Sequence, residues 1–179
     1  GLGPHAIGHR GVARTCKGIR LFKEMAVFEN VMVGASGRER NLPWQARLHS
    51  AGERRDELRA KREARYWLGF VGLTEEAGRL ATELSYADQR RVEIARALAS
   101  EPMLVLLDEP AAGMNPTEKV DLMRRVREIR ERGVPVVLNH HDISLVMNVS
   151  DRCHALNPVK GTAQGSTSPA QDTPQGDES

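Results

Sequence analysis

Residues 103–110 read MLVLLDEP, a continuous apolar run closed by two acids and a proline. An uninterrupted run this short has no polar face, which predicts a strand buried on both sides within a parallel sheet. A second run of the same kind, VPVVLN at 134–139, lies one helix downstream and ends at His140 and His141. The helix between them is well specified. Asn115 is its N-cap, Pro116 its first-turn proline, Glu118 a first-turn acid and Gly133 its stop. After a short helix, ISLVMNV at 143–149, the segment RCHALN at 152–157 is a weaker strand candidate. Strand, helix, strand, helix, strand predicts an α/β core built on a parallel sheet with right-handed crossovers.

Upstream of this the pattern is helical. AVFENVMVG, residues 26–34, has apolar positions at helical spacing and ends on Gly34, and 35–56 is polar, contains glycine and is expected to be irregular. A long helix follows from about residue 55 to 71, with Leu58, Ala64, Trp67, Leu68 and Val71 on one face and an i, i+4 pair of Glu57 and Lys61 on another; Gly72 closes it. Thr74, with Glu75 and Glu76 behind it, signals a further short helix. Ser85 starts the next, LSYADQRRVEIARAL at 84–98, whose buried stripe is Val92, Ala95, Leu98 and Ala99. Two readings of that start stand side by side. Ser85 and Asp88, three residues apart, form a capping pair; the same orphan N–H groups, at the positive end of the helix dipole, can bind phosphate.

Composition bounds the function. With 26 basic against 24 acidic residues the net charge is +2, which gives no nucleic-acid signal. The arginines of QARLHSAGERRDELRAKREARYW, residues 45–67, are interleaved with acids, and no nucleic-acid recognition motif accompanies them. Cys16 and Cys153 have no paired spacing, which suits a reducing compartment and gives neither a disulfide framework nor a metal site. No apolar run approaches the ~20 residues of a membrane-spanning helix, and GLGPHAIGHR at the start is not a signal peptide. Residues 158–179 lack apolar side chains to bury and are expected to be disordered.

In an open parallel sheet, ligands bind at the C-terminal ends of the strands, where Asp108, Glu109 and His141 stand. Four aliphatics followed by Asp-Glu read as a Walker B strand. Its first acid holds a magnesium ion, usually through water, and its second polarises the attacking water. A lone histidine at a strand end is more often a turn residue. One strand over from the acids, however, the imidazole of His141 can reach a terminal phosphate and report its presence. His140 is read as a loop residue.

The stretches GVART, IRLFKEMAVFENVMVG, LSYADQRRVEIARALASEPMLVLLDEPAAGMNP and HHDISLVMNVSDR together resemble the ATPase subunit of branched-chain amino acid importers of the ATP-binding cassette class, over residues 4–157. The resemblance implies an incomplete P-loop NTPase core with parallel strands plus an all-helical subdomain. It divides the chain into a Q-loop segment at 1–25, a helical subdomain carrying the signature motif at 26–101, a Walker B to H-loop half of the core at 102–157 and the tail at 158–179. It implies catalytic roles for Glu109, as general base, and for His141, as the switch histidine. Nucleotide-binding roles follow for Ser85, Gln89, Asp108 and Asn115, with Asp108 meeting magnesium through water; residues 111–116 match the D-loop at a dimer seam. The implied cofactors are ATP and magnesium. The implied partners are transmembrane permease subunits, a second ATPase subunit in a homo- or heterodimer and, indirectly, an external substrate-binding protein, with no nucleic acid. The implied location is peripheral, on the cytoplasmic face of the plasma membrane.

Four departures from the family pattern matter. No Gly-x-x-x-x-Gly-Lys-Ser/Thr occurs in the 179 residues, so the sequence looks like the family's chain after its phosphate-cradling loop. Lys17 stands where the family has a metal-contacting glutamine, and lysine has no acceptor oxygen. Ala87 and Asp88 stand where the signature has Gly-Gln. A Cβ at Ala87 is expected to obstruct an approaching phosphate. A carboxylate at Asp88 repels one by roughly 4 kcal/mol per unit pair at ~4 Å and an effective dielectric of ~20. Two functions follow as expectations: an ATP-hydrolysing subunit that energises amino acid import but is inactive alone, or a non-hydrolysing remnant that only docks to transporter partners.

Overall fold

The computed structural model describes residues 10–36, 51–157 and 161–166. It falls into two compact units, residues 1–141 and 142–179, each described by itself below.

In the first unit a parallel sheet of order β1-β2-β3 is built from β1 (Val12–Arg14), β2 (Leu104–Asp108) and β3 (Val136–Asn139). Both apolar runs are strands, but β3, expected to be buried on both faces, stands at the end of the described sheet with Val137 48% exposed, because it has a neighbour on one side only. Val105 and Leu107 of β2 are fully buried. The register pairs Leu106 with Val137 and Asp108 with Asn139, so polar ends meet at one edge of the sheet. The third strand of this sheet is not 152–157, as expected, but β1, paired through Val12–Leu104 and Arg14–Leu106. Three residues ending in arginine carry no apolar-run signal, and only pairing with β2 makes them a strand.

The helical part packs α1 (Val27–Ser36), α2 (Ala51–Val71) and α3 (Tyr86–Ala99) against one another. Their shared core contains Val27 and Val31 from α1, Ala64, Leu68 and Val71 from α2, and Val92, Ala95 and Leu98 from α3. Leu58, expected on the buried face of α2, is 66% exposed, and Ala60 is buried instead. At about 100° per residue, position 60 lies with 64, 67, 68 and 71, and position 58 does not. Gly34 does not stop α1, which runs to Ser36. A Cβ there would lie 2.9 Å from the carbonyl carbon of Arg96 and closer still to its oxygen, so the glycine lets α1 cross closely over α3. The helix α2 begins at Ala51, inside the stretch read as irregular, of which 37–50 lies outside the described residues. Gly72 does close it, with φ +73° and the Leu73 N–H donating to Leu68 O at 2.9 Å. The short helix expected from Thr74 is a run of turns, held by Ala77 N–H to Thr74 O and Arg79 N–H to Glu76 O, and only Ala81–Glu83 forms a 3-10 turn.

Between β2 and β3 runs α4 (Pro116–Glu131). Asn115 Oδ1 accepts from Glu118 N–H and Glu118 Oε2 accepts from Asn115 N–H, both at 2.9 Å, a complete capping box.

The second unit holds α5 (Ile143–Met147), capped by Asp142, and an antiparallel pair, β4 (Arg152–Asn157) with β5 (Gly161–Ser166). The strand expected to join the parallel sheet thus turns back on a neighbour three residues away, a separation that selects a hairpin. Residues 161–166, read as part of a disordered tail, form β5, because a backbone ladder does not require apolar side chains; 167–179 lies outside the described residues. Among the described residues no helix is long and apolar enough to cross a membrane.

Candidate functional site

The sheet edge formed by the ends of β2 and β3 gathers the acids and histidines. Register places Asn139 beside Asp108, and the Asn139 amide donates to Asp108 Oδ1 at 2.8 Å. Arg14, at the end of β1, donates to Asp108 Oδ2 at 3.1 Å. The Asn139 bond first, then Arg14 and the more distant charge of Lys17, hold the Asp108 carboxyl below the usual carboxylate range. Lys17 therefore acts on this acid through its field, although it cannot ligate a metal. Asn139 and Arg14 escape a reading of motifs because they matter only once the register is known.

Glu109 leaves the strand with φ +48°, a left-handed conformation for a residue with a side chain, a departure of the kind that stores about 1–3 kcal/mol and concentrates at functional sites. Its N–H still donates to Asn139 O at 2.8 Å. Its carboxylate meets both histidines. His141 Nδ1 lies 2.9 Å from Oε2 and 3.1 Å from Oε1, and His140 Nε2 lies 3.6 Å from Oε2. The two rings stack with centroids 4.8 Å apart and planes 17° from parallel. Their exposures are opposite, 1% for the His140 side chain and 78% for that of His141. His140 is thus part of this cluster and not a bystander in a loop. The signal for it was the adjacent His-His pair itself.

The signature segment is elsewhere engaged. The Ser85 hydroxyl donates to Asp88 Oδ2 at 2.8 Å and accepts from Asp88 N–H at 3.1 Å. Gln89 donates its side-chain amide to Leu84 O at 3.0 Å. Ala87, 6% exposed, packs inward. Asn115 serves as the α4 cap. Tyr86 packs near Gly113, whose φ is +75°. Behind this segment, the buried Arg90 donates to Cys16 O at 2.6 Å and Lys17 O at 2.7 Å, tying α3 to the loop after β1.

The donor chemistry separates the two halves. Asp108, its carboxyl held below the usual range, presents oxygens of the kind magnesium takes, whereas Thr15 is buried and its hydroxyl accepts from Asp108 N–H; Arg14 and Lys17 place positive charge beside this acid. At the start of α3 the Ser85 hydroxyl and the Asp88 carboxylate are engaged with each other, which is the arrangement of a cap. A cleft of about 640 Å³ lies beside the site, lined by Arg14, Thr15, Arg20, Glu93 and Arg96 but not by Asp108, Glu109 or His141.

Comparisons with known proteins bear on the family and the fold. A family model described as ABC transporter matches residues 6–112. The high-affinity branched-chain amino acid transport ATP-binding protein BraF of Pseudomonas aeruginosa is 43% identical over 176 residues, covering 97% of this chain and 69% of the relative. The corresponding LivG protein of Escherichia coli is 38% identical over 175 residues, with the same coverage. Among solved structures, a nucleotide-free ATP-binding cassette from an ABC transporter superposes with TM-score 0.72 at 28% identity, covering 91% of this chain and 64% of the other. The dimeric cassette MJ0796 gives TM-score 0.73 at 21% identity, covering 94% and 69%. The chain therefore spans about two thirds of the length of these relatives. Its sheet, its helical layer and its acid-histidine edge have one common explanation: the chain belongs to the ABC transporter ATP-binding family.

Proposed function

We propose that this chain is the ATP-binding subunit of an importer for branched-chain amino acids, working on the cytoplasmic face of the plasma membrane with permease subunits and a second ATPase subunit. An external binding protein would deliver the amino acid. The observation that carries the reading is the contact of His141 with Glu109 at 2.9 Å beside Asp108, at the sheet edge where hydrolysis of a terminal phosphate needs them. In this reading Asp108 faces magnesium through water, and magnesium supplies charge neutralisation on the phosphates. Glu109 takes a proton from the attacking water, and His141, exposed and hydrogen-bonded to Glu109, orients that carboxylate. The names of BraF and LivG support the amino acid class.

These 179 residues by themselves are proposed not to hydrolyse ATP. They contain no Gly-x-x-x-x-Gly-Lys-Ser/Thr, and Ser85, Gln89 and Asn115 are engaged within the chain. A magnesium-ATP titration of the chain is expected to give neither turnover nor saturable binding; micromolar affinity would overturn this part. Deleting the gene in its host is expected to lower uptake of leucine, isoleucine and valine. Unchanged uptake would overturn the transport reading and favour a docking protein without hydrolytic function.

A further inference from the structure

Glu109, His140 and His141 each offer one ligand atom, and the three atoms lie within 4.8 Å of one another. Two imidazoles and a carboxylate are a donor set unlike that of magnesium, which takes oxygens; nitrogen donors select zinc, copper or nickel. The spacing is close to what such an ion needs. Ligands about 2.0–2.1 Å from a tetrahedral zinc stand roughly 3.3 Å apart, and the two histidine nitrogens lie 2.9 and 3.6 Å from Glu109 Oε2. The histidine–carboxylate spacings bracket that value, and drawing together the two histidine nitrogens, which lie within 4.8 Å of each other, completes the triangle.

We propose that Glu109, His140 and His141 form a three-ligand site for a borderline-soft divalent cation of the zinc class. The parts have complementary properties. His140, 1% exposed, is a ligand already fixed by packing, while His141, 78% exposed, leaves an entry path and room for water in the fourth position. Adjacent residues of a strand point to opposite faces, but β3 ends at Asn139, and beyond it the two rings stack and project together. On binding, His141 Nδ1 gives up its hydrogen bond to Glu109: the proton it donated passes to solvent, another is taken up at Nε2, and the ring stays neutral with Nδ1 open to the metal.

If the proposed ATPase reading holds, the same ion removes Glu109 and His141 from hydrolysis, which makes zinc an inhibitor at the catalytic edge. The binding claim does not depend on that reading, and its test contains no nucleotide. Zinc alone is titrated into the 179-residue chain by calorimetry, and cobalt is added in parallel to read a tetrahedral absorption band. One tight equivalent is expected, not displaced by excess magnesium. Glu109→Gln, His140→Gln and His141→Ala are each expected to weaken it at least tenfold and to abolish the cobalt band. Changing His5, His9, His49 and His154 to alanine together is expected to leave it intact. Absence of tight binding, or unchanged affinity in any folded one of the three variants, overturns the site. His141 is exposed, so its alanine variant decides the matter even if His140→Gln fails to fold.

Discussion

Arg90 and Glu93, one turn apart on α3, form an ion pair of 2.6 Å with side chains 0% and 2% exposed. Each also holds the loop after β1. Arg90 donates to the carbonyls of Cys16 and Lys17, and Glu93 Oε1 accepts from Arg20 N–H at 2.6 Å. The pair therefore joins the helix that begins at Ser85 to the segment that carries Thr15 and Lys17, so neither can move without the other.

Removing one member should be severe. Arg90→Ala takes the 2.6 Å charge partner from a buried carboxylate that keeps only the Arg20 N–H and the more distant Arg96, and the loss of stability is expected to be about 3–5 kcal/mol, read by urea unfolding. Arg90→Met with Glu93→Leu is expected to lose much less than the two single changes added together. A single-variant loss near the ~1 kcal/mol of an exposed pair would mean that water reaches the site and that the join is weak.

Gly34 supplies a second prediction, about packing. Gly34→Ala pushes a methyl into the Arg96 backbone, and α1 must move off α3, at an expected cost of about 1–3 kcal/mol. Gly18, which has nothing within 4 Å of an added Cβ, is the control. Gly18→Ala is expected to change stability by less than about 0.5 kcal/mol. Equal effects at the two sites would show that the close crossing does not decide the outcome.

These two sites also mark what could be read without coordinates. MLVLLDEP and VPVVLN are legible as strands because each is a short uninterrupted apolar run, although the exposure of Val137 depends on what lies beside β3, and Asn115-Pro116 is legible as a helix start because its signal is local. Asp108, Glu109 and His141 follow from the strand ends. Arg90 and Glu93, by contrast, have the spacing of an ordinary surface pair on a helix, and nothing local reveals their burial. The strand role of Val12–Arg14, the exposure of Leu58 and the contacts of Asn139 with Asp108 likewise depend on which element lies opposite. Gly34 was visible as a glycine, but its role as a crossing point rather than a helix stop is a tertiary property.

At the start of α3 the cap should be measurable as a cap. Ser85→Ala removes the hydroxyl that accepts from Asp88 N–H, with an expected loss of about 0.5–2 kcal/mol. Asp88→Ala should also remove one of the two carboxylates that Arg91 pairs with, leaving Asp121, each pair being 3.1 Å. Thermal unfolding followed by helical circular dichroism reads both. No loss on Ser85→Ala would mean that the capping bonds contribute nothing net, and would reopen the helix end as an anion site.

The pH dependence of the acid edge has a defined sign. The Asp108 carboxyl is depressed in the folded chain, first by the Asn139 hydrogen bond and then by Arg14. A depressed acid contributes stability that is present above the ordinary carboxylate range, near pH ~4, and is lost as pH falls through the folded value. Stability from this edge should therefore decline only in acid, and carbon-detected titration of Asp108 should show its midpoint below that of a free aspartate. Asn139→Leu is expected to raise the midpoint more than Arg14→Met, since the arginine side chain is 59% exposed and screened by water. The reverse order would show that charge attraction, rather than the amide bond across the β2–β3 register, keeps this acid ionised. It would then be Arg14 at the end of β1, and not the end of β3, that prepares Asp108 for a cation.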